Sequence, residues 1–272
     1  MQKRIFALGG GHYGQHKDTY TTEKPPGGAD YFPWDTKPVD DLIVAAAGKQ
    51  NPKVLALTTA SEDGQHDVDL LYEAFQKRFG AYGCQTDILK LVEVEITPTE
   101  AEVEAAVSGA DIVFVTGGNS YQMMEKWRQL GVDRLLRQAY ERGAVMSGLS
   151  AGSICWFRWG NSNSFYTGKP FRVEAMGWLN AGTCPHYDSE PFRQEPFKQM
   201  LRQAPEMVGI ALDEYAAIEI VDEKEFRIHI YRPGAKVRKC YWSMGEYRVE
   251  DVEEADEYSG LADLLKPAGL GE

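Results

Sequence analysis

Short, nearly uninterrupted apolar runs alternate along this chain with longer stretches whose apolar positions recur every three or four residues. The runs at 3–9, 53–58, 86–91, 111–116 and 143–149 are predicted strands. Lys53-Val54-Leu55-Ala56-Leu57-Thr58 and Asp111-Ile112-Val113-Phe114-Val115-Thr116 are apolar at almost every position. Strands of that kind are buried on both faces, as in a parallel sheet covered by helices. The amphipathic stretches at about 38–48, 66–80, 98–108, 120–129, 131–142 and 151–158 are the predicted helices. This alternation predicts an α/β fold, a three-layer, doubly wound, mostly parallel sheet. Shorter strands are expected at 209–212, 216–221 and 226–231, with a helix near 190–204. With no internal repeat and no low-complexity linker, residues 1–272 read as a single domain. It carries a long polar loop at about 13–38 and a C-terminal extension at about 232–272. In a doubly wound sheet that loop lies at the carboxyl ends of the strands, where ligands bind.

Charge and composition narrow the partners. The net charge of −12 argues against a nucleic-acid or anionic-membrane surface. No apolar run approaches the roughly 20 residues needed to span a bilayer. The first ten residues are too short in apolar length for a signal peptide and read as a first strand. Cys84, Cys155, Cys184 and Cys240 show no C-x-x-C spacing and no clustering with histidine, so a zinc site is not expected. Scattered thiols suit a reducing cytoplasm. Cys155, in an apolar context, reads as a buried structural thiol.

The densest chemistry lies at 143–157. Gly143-Ala144-Val145-Met146-Ser147 leads into Gly148-Leu149-Ser150-Ala151-Gly152, and Ser153-Ile154-Cys155-Trp156-Phe157 follows. A G-x-S-x-G between a strand and a helix forces the serine onto a sharp bend, with its hydroxyl exposed above the sheet. Ser150 is therefore a candidate nucleophile. Such a serine needs a base and pre-aimed donors for an oxyanion. His186, in Thr183-Cys184-Pro185-His186-Tyr187-Asp188, occupies a loop between a strand and a helix, where catalytic side chains are common. Thr116-Gly117-Gly118-Asn119-Ser120 is a second loop of interest, since a Gly-Gly pair lets backbone N–H groups approach a ligand closely. Either glycine, with the N–H of Ala151, can form an oxyanion hole. A tight structural turn is the other reading of that loop.

Taken together, Val115-Thr116-Gly117-Gly118-Asn119-Ser120, Trp127 with Gly131-Val132-Asp133, the segment 148–157 and Cys184-Pro185-His186-Tyr187-Asp188 resemble the peptidase E family. These are the aspartyl-dipeptidase and cyanophycinase group of serine peptidases. The resemblance spans most of residues 1–222. It implies the flavodoxin-like, three-layer fold of class I glutamine amidotransferases. It also implies Ser150 as nucleophile, His186 as general base, and Gly117 or Gly118 with Ala151 as oxyanion donors. The substrates it implies are short peptides, typically with N-terminal aspartate, cleaved without metal or cofactor. Asn119, Arg158 and Tyr187 are the candidate substrate contacts, and Lys169, Arg172 and Arg193 are further cations able to hold an acidic side chain. The expected partner is a small peptide, with no nucleic acid or membrane, and the expected assembly is a monomer or homodimer.

One departure bears on mechanism. Where the family carries an acid shortly after the elbow helix, this chain reads Ser162-Asn163-Ser164. Asn163 can accept the imidazole N–H but cannot offset an imidazolium charge, and an Asp→Asn change in a Ser-His-Asp triad lowers kcat about 10⁴-fold. Glu174 is the only glutamate between Ser150 and His186, and Asp188, Glu190 and Glu214 are further candidates to orient His186. Two alternatives accompany the dipeptidase expectation. One is a cyanophycinase-like hydrolase of β-aspartyl links, with Asp188, Asp213 and Glu214 forming an acidic pocket. The other is a catalytically weakened family member that acts by binding.

Overall fold

A computed structural model describes residues 2–19, 24–92 and 95–267. Strands β1 (Arg4–Leu8), β2 (Lys53–Leu57), β3 (Gln85–Leu89), β4 (Ile112–Val115) and β5 (Val145–Leu149) are all parallel, in the spatial order β1-β5-β4-β2-β3. Their alternate side chains enter two different cores. Ile5, Ala7, Leu55 and Leu57 face one core, while Phe6, Leu8, Val54 and Ala56 face the other. That division explains why the strands are apolar at every position. Helices α1 (Lys37–Ala46) and α2 (Val68–Gly80) cover one face through Val39, Ile43, Leu71, Phe75 and Phe79. Helices α3 (Glu100–Gly109), α4 (Ser120–Leu130) and α5 (Val132–Glu141) cover the other through Val103, Met123, Trp127, Leu135 and Leu136. The helix starts are locally encoded: Asp67 caps α2, Thr99 and Glu102 form a capping box on α3, and Asn119 caps α4.

The elbow helix expected over 151–158 is shorter than its sequence pattern suggests. Helix α6 is only Ala151–Ile154, and the chain turns into β6 (Phe157–Ser162). Phe157 and Trp159 are buried while Arg158 between them is exposed, the two-residue period of a strand. β6 belongs to a second, six-stranded sheet that the sequence pattern did not reveal. With β7 (Phe171–Glu174), β8 (Leu179–Cys184), α7 (Gln194–Arg202) and β9 (Gly209–Leu212), it forms the part in which β6, β8 and β9 run parallel. β10 (Ala216–Val221) and β11 (Glu225–Ile230) return to the first sheet, β10 antiparallel to β1 and β11 antiparallel to β10. β12 (Val237–Ser243) and β13 (Glu246–Val252) complete the second sheet in the order β13-β12-β9-β8-β6-β7. β14 (Ser259–Gly260) pairs with β11, and α8 (Leu261–Leu264) follows. The stretch read as a C-terminal extension thus contributes strands to both sheets, and its last residues, 268–272, lie outside the described residues. Among the described residues no helix is long and apolar enough to cross a membrane.

The 13–38 stretch folds back on itself through bridges between Tyr13 and Trp34 and between His16 and Tyr31, and residues 20–23 lie outside the described residues. A buried ion pair holds its far end. The Arg78 guanidinium on α2 grips Asp40 on α1, with Nε 2.7 Å from Oδ2, and both side chains are fully buried. Trp34 and Thr36 donate to the same Asp40 oxygen, and the guanidinium stacks 4.2 Å from the Phe114 ring centroid. Removing one member of a buried pair leaves the other charge uncompensated, which costs about 3–5 kcal/mol. Asp40→Asn is therefore expected to lower unfolding stability by about that amount, whereas Asp40→Leu combined with Arg78→Met should lose less. Urea unfolding midpoints measure the difference.

Candidate active site

The carboxyl ends of β1, β5, β4 and β2 and those of β9, β8 and β6 meet around one cleft of about 220 Å³. The first sheet supplies Gly11 after β1, Ser150 after β5, Gly117 and Gly118 after β4, and Ser61 after β2. The second supplies Glu214 after β9, His186 after β8 and Asn163 after β6. All of these line the cleft.

Ser150 sits at φ 54°, ψ −113°, a conformation that L side chains rarely adopt and that marks a strained elbow. Its N–H donates to Leu8 O at 3.1 Å, tying the bend to the end of β1. Gly117 lies against it, since a Cβ at Gly117 would stand 3.2 Å from Ser150 Cβ. Gly118 has φ 125°, and a Cβ there would meet Ala60 O at 2.2 Å, so only glycine fits. Ala151 opens α6, where the first N–H groups of a helix have no intrahelical acceptor.

The group that faces His186 is Glu214. Nδ1 of His186 lies 2.5 Å from Glu214 Oε2. The same oxygen accepts from Ser189 Oγ at 3.0 Å, and Oε1 accepts from Gly11 N–H at 2.7 Å. Because an ionised carboxylate only accepts, Nδ1 carries the proton and Nε2 is left for proton transfer. Burial disfavours the charge on Glu214, but His186, Ser189 and the Gly11 N–H outweigh it and hold its pKa down at about 2. For His186, burial disfavours the imidazolium, and the facing carboxylate outweighs that too, raising its pKa above the ordinary 6.5. The chain leaving β1 carries this alignment. Gly9 O accepts the His186 N–H at 3.3 Å, and a Cβ on Gly10 would stand 2.3 Å from Glu214 Oε1.

This arrangement corrects the expected histidine orienter. Asn163 lines the cleft, but its Oδ1 accepts from Gly168 N–H at 3.2 Å and shapes a turn. Glu174 is on β7, exposed and paired with Arg172 at 2.6 Å. Three expected substrate contacts also lie elsewhere. Asn119 caps α4 by accepting Gln122 N–H at 2.9 Å. Arg158 is exposed and donates to Asn180. Tyr187 is buried among Trp159, Phe197 and Met200. Of the four cations considered, Arg193 alone lines the cleft, where its Nε donates to Glu190 at 2.6 Å and Nη1 to Asn161 O at 2.7 Å. Sequence reasoning missed Tyr13, Ser61, His66 and Tyr166 as cleft residues. The triplet Gly9-Gly10-Gly11 after the first strand was the one available signal that other elements press against that bend.

The sequence model of peptidase family S51 matches residues 29–228. Over 258 residues, covering 95% of this chain and all of the relative, it is 28% identical to the uncharacterized peptidase YgaJ of Bacillus subtilis. A stretch of 128 residues, 44% of this chain, is 27% identical to peptidase E of Citrobacter koseri and covers 56% of that protein. The crystal structure of a peptidase from an acI-B1 actinobacterium superposes with a TM-score of 0.70 at 14% identity, covering 96% of this chain and 97% of that one. The fold is shared with that solved peptidase. The chain belongs to peptidase family S51.

Replacing Glu214 with glutamine removes the main interaction that favours the imidazolium, leaving burial and Arg193 to oppose it and Glu190 to support it. Glu214→Gln is therefore expected to lower the His186 pKa, which an NMR titration of the ring protons measures.

Proposed function

We propose that this chain is a serine peptidase that cleaves short peptides with an N-terminal aspartate through an acyl-enzyme. The observation carrying the reading is the His186–Glu214 hydrogen bond in the cleft that Ser150 lines at its strained elbow. Ser150 Oγ attacks the scissile carbonyl while His186 Nε2 takes its proton. The N–H groups of Ala151 and of Gly117 or Gly118 stabilise the oxyanion, and Glu214 stabilises the imidazolium. His186 then returns the proton to the leaving amine, and water enters by the same route in reverse to release the acid. Arg193 is the cation best placed for an acidic substrate side chain. The cleft volume, below the usual range of about 300–1,000 Å³ for ligand sites, favours a short substrate.

Neither alternative gains a specific observation. Of the acids expected to form an acidic pocket, Glu214 is engaged with His186, Asp213 with Arg238, and Asp188 with the Glu214 N–H. The weakened-enzyme reading arose from Asn163, and Glu214 supplies the carboxylate whose absence motivated it.

A serine-directed phosphonate is expected to label wild type but not Ser150→Ala. On Asp-Leu, His186→Ala and Glu214→Gln should each lower kcat, the latter by about 10²–10⁴-fold, while Glu174→Gln leaves it unchanged. Loss with Glu174→Gln and retention with Glu214→Gln would refute the assignment. The pH profile has a definite sign. The base must be neutral, so wild-type kcat/KM should rise through a pKa above 6.5, and in Glu214→Gln the residual activity should rise at lower pH.

A further inference from the structure

The cleft has two rims, and their order in space is fixed by the sheets. Along the first sheet the rim runs β1, β5, β4, β2, and along the second it runs β9, β8, β6. At one end Gly11 after β1 meets Glu214 after β9. At the other, the loop after β6 crosses to the first sheet. Ser162 Oγ donates to Ser120 Oγ at 3.0 Å, and Tyr121 N–H to Ser164 Oγ at 3.1 Å, pinning that loop to the start of α4. It then reaches the loop after β2, where the Tyr166 hydroxyl donates to Asp63 Oδ2. His66 Nδ1 lies 2.9 Å from the other oxygen of Asp63, and Gln65 N–H donates to that same oxygen. Asp63 itself is nearly fully buried, with 2% of its side chain exposed.

We propose that the Asp63–His66–Tyr166 bridge closes this end of the cleft and limits the length of peptide that can lie across Ser150. His66 and Tyr166 both line the cleft wall. Among the described residues no backbone pairing joins the two rims at this end, so a polypeptide running on past it meets the Tyr166–Asp63 bond. The tyrosine is held for the task. Its φ of 52° is set by a turn in which Tyr166 N–H donates to Asn163 O at 2.8 Å and Gly168 N–H to Asn163 Oδ1. Asn163 thereby becomes a positioning residue for the wall. This inference rests on the peptidase reading above.

The test compares kcat/KM for Asp-Leu with that for Asp-Leu-Ala-Ala-Ala and for Ala-Ala-Ala-Asp-Leu, in wild type, Tyr166→Phe and Tyr166→Ala, with thermal melting to verify folding. Wild type should favour the dipeptide. Tyr166→Ala should shift the ratio toward one of the extended peptides by at least about tenfold, the ~1.4 kcal/mol scale of one lost hydrogen bond. Tyr166→Phe, which keeps the ring and loses the bond, should shift it less. A global loss of structure lowers all three rates together and does not move the ratio. If wild type cleaves Asp-Leu and folded Tyr166→Ala keeps the wild-type ratio, the bridge does not limit length. If wild type cleaves none of the three, the peptidase reading itself fails and this inference falls with it.

Discussion

Everything at the cleft hangs on the few residues that leave β1. Leu8 O holds the Ser150 N–H, Gly9 O holds the His186 N–H, and the Gly11 N–H holds Glu214. Three chain segments from two sheets are thus referenced to one stretch of backbone, and their relative positions follow from its path. Glycine is a requirement at Gly9 and Gly10, since a Cβ at either would occupy the space in which the end of β9 and the loop after it approach. The strain at Ser150 is sustained by the same anchorage, because a backbone held from both sides cannot relax into an ordinary turn.

Electrostatics alone would not single out this cleft. Glu219 on β10 is as strongly perturbed as Glu214. Burial opposes its charge too, and His229, Tyr258 and Arg4 bring its pKa to about 2. Yet Glu219 lies outside the cleft and is saturated by two guanidinium groups and a histidine, as a structural knot would be. Glu214 differs in its company. Its main partner is a histidine whose other nitrogen is left for chemistry, in a concavity shared with a strained serine. Perturbation marks a functional site only together with such geometry.

The parallel sheet was legible because burial on both faces writes an unbroken apolar signal, as in Ile112–Val115. The elbow was legible because a strained bend admits few residue types. The second sheet was not, since its strands are short, carry polar residues such as Asn161 and Thr183, and are separated by loops of their own. The partner of His186 was only partly legible. Glu214 stood among several candidate acids, but chain order favoured Glu174 and family position favoured Asn163. Spatial proximity overrode both, for Glu214 follows His186 by 28 residues and arrives on the neighbouring parallel strand. Even the adjacent pair Asp213-Glu214 divides its labour, Asp213 turning away to Arg238 and to the Lys236 N–H.

The path of the chain between the sheets has a consequence for how such a molecule can vary. After β5 it enters the second sheet, returns at β10, leaves again at β12 and comes back at β14. The polypeptide is stitched through both halves four times, so no single cut yields one piece with the serine and another with the histidine that each fold alone. The two halves therefore cannot be exchanged like cassettes with other proteins. Variation is left to the loops, several of which wall the cleft.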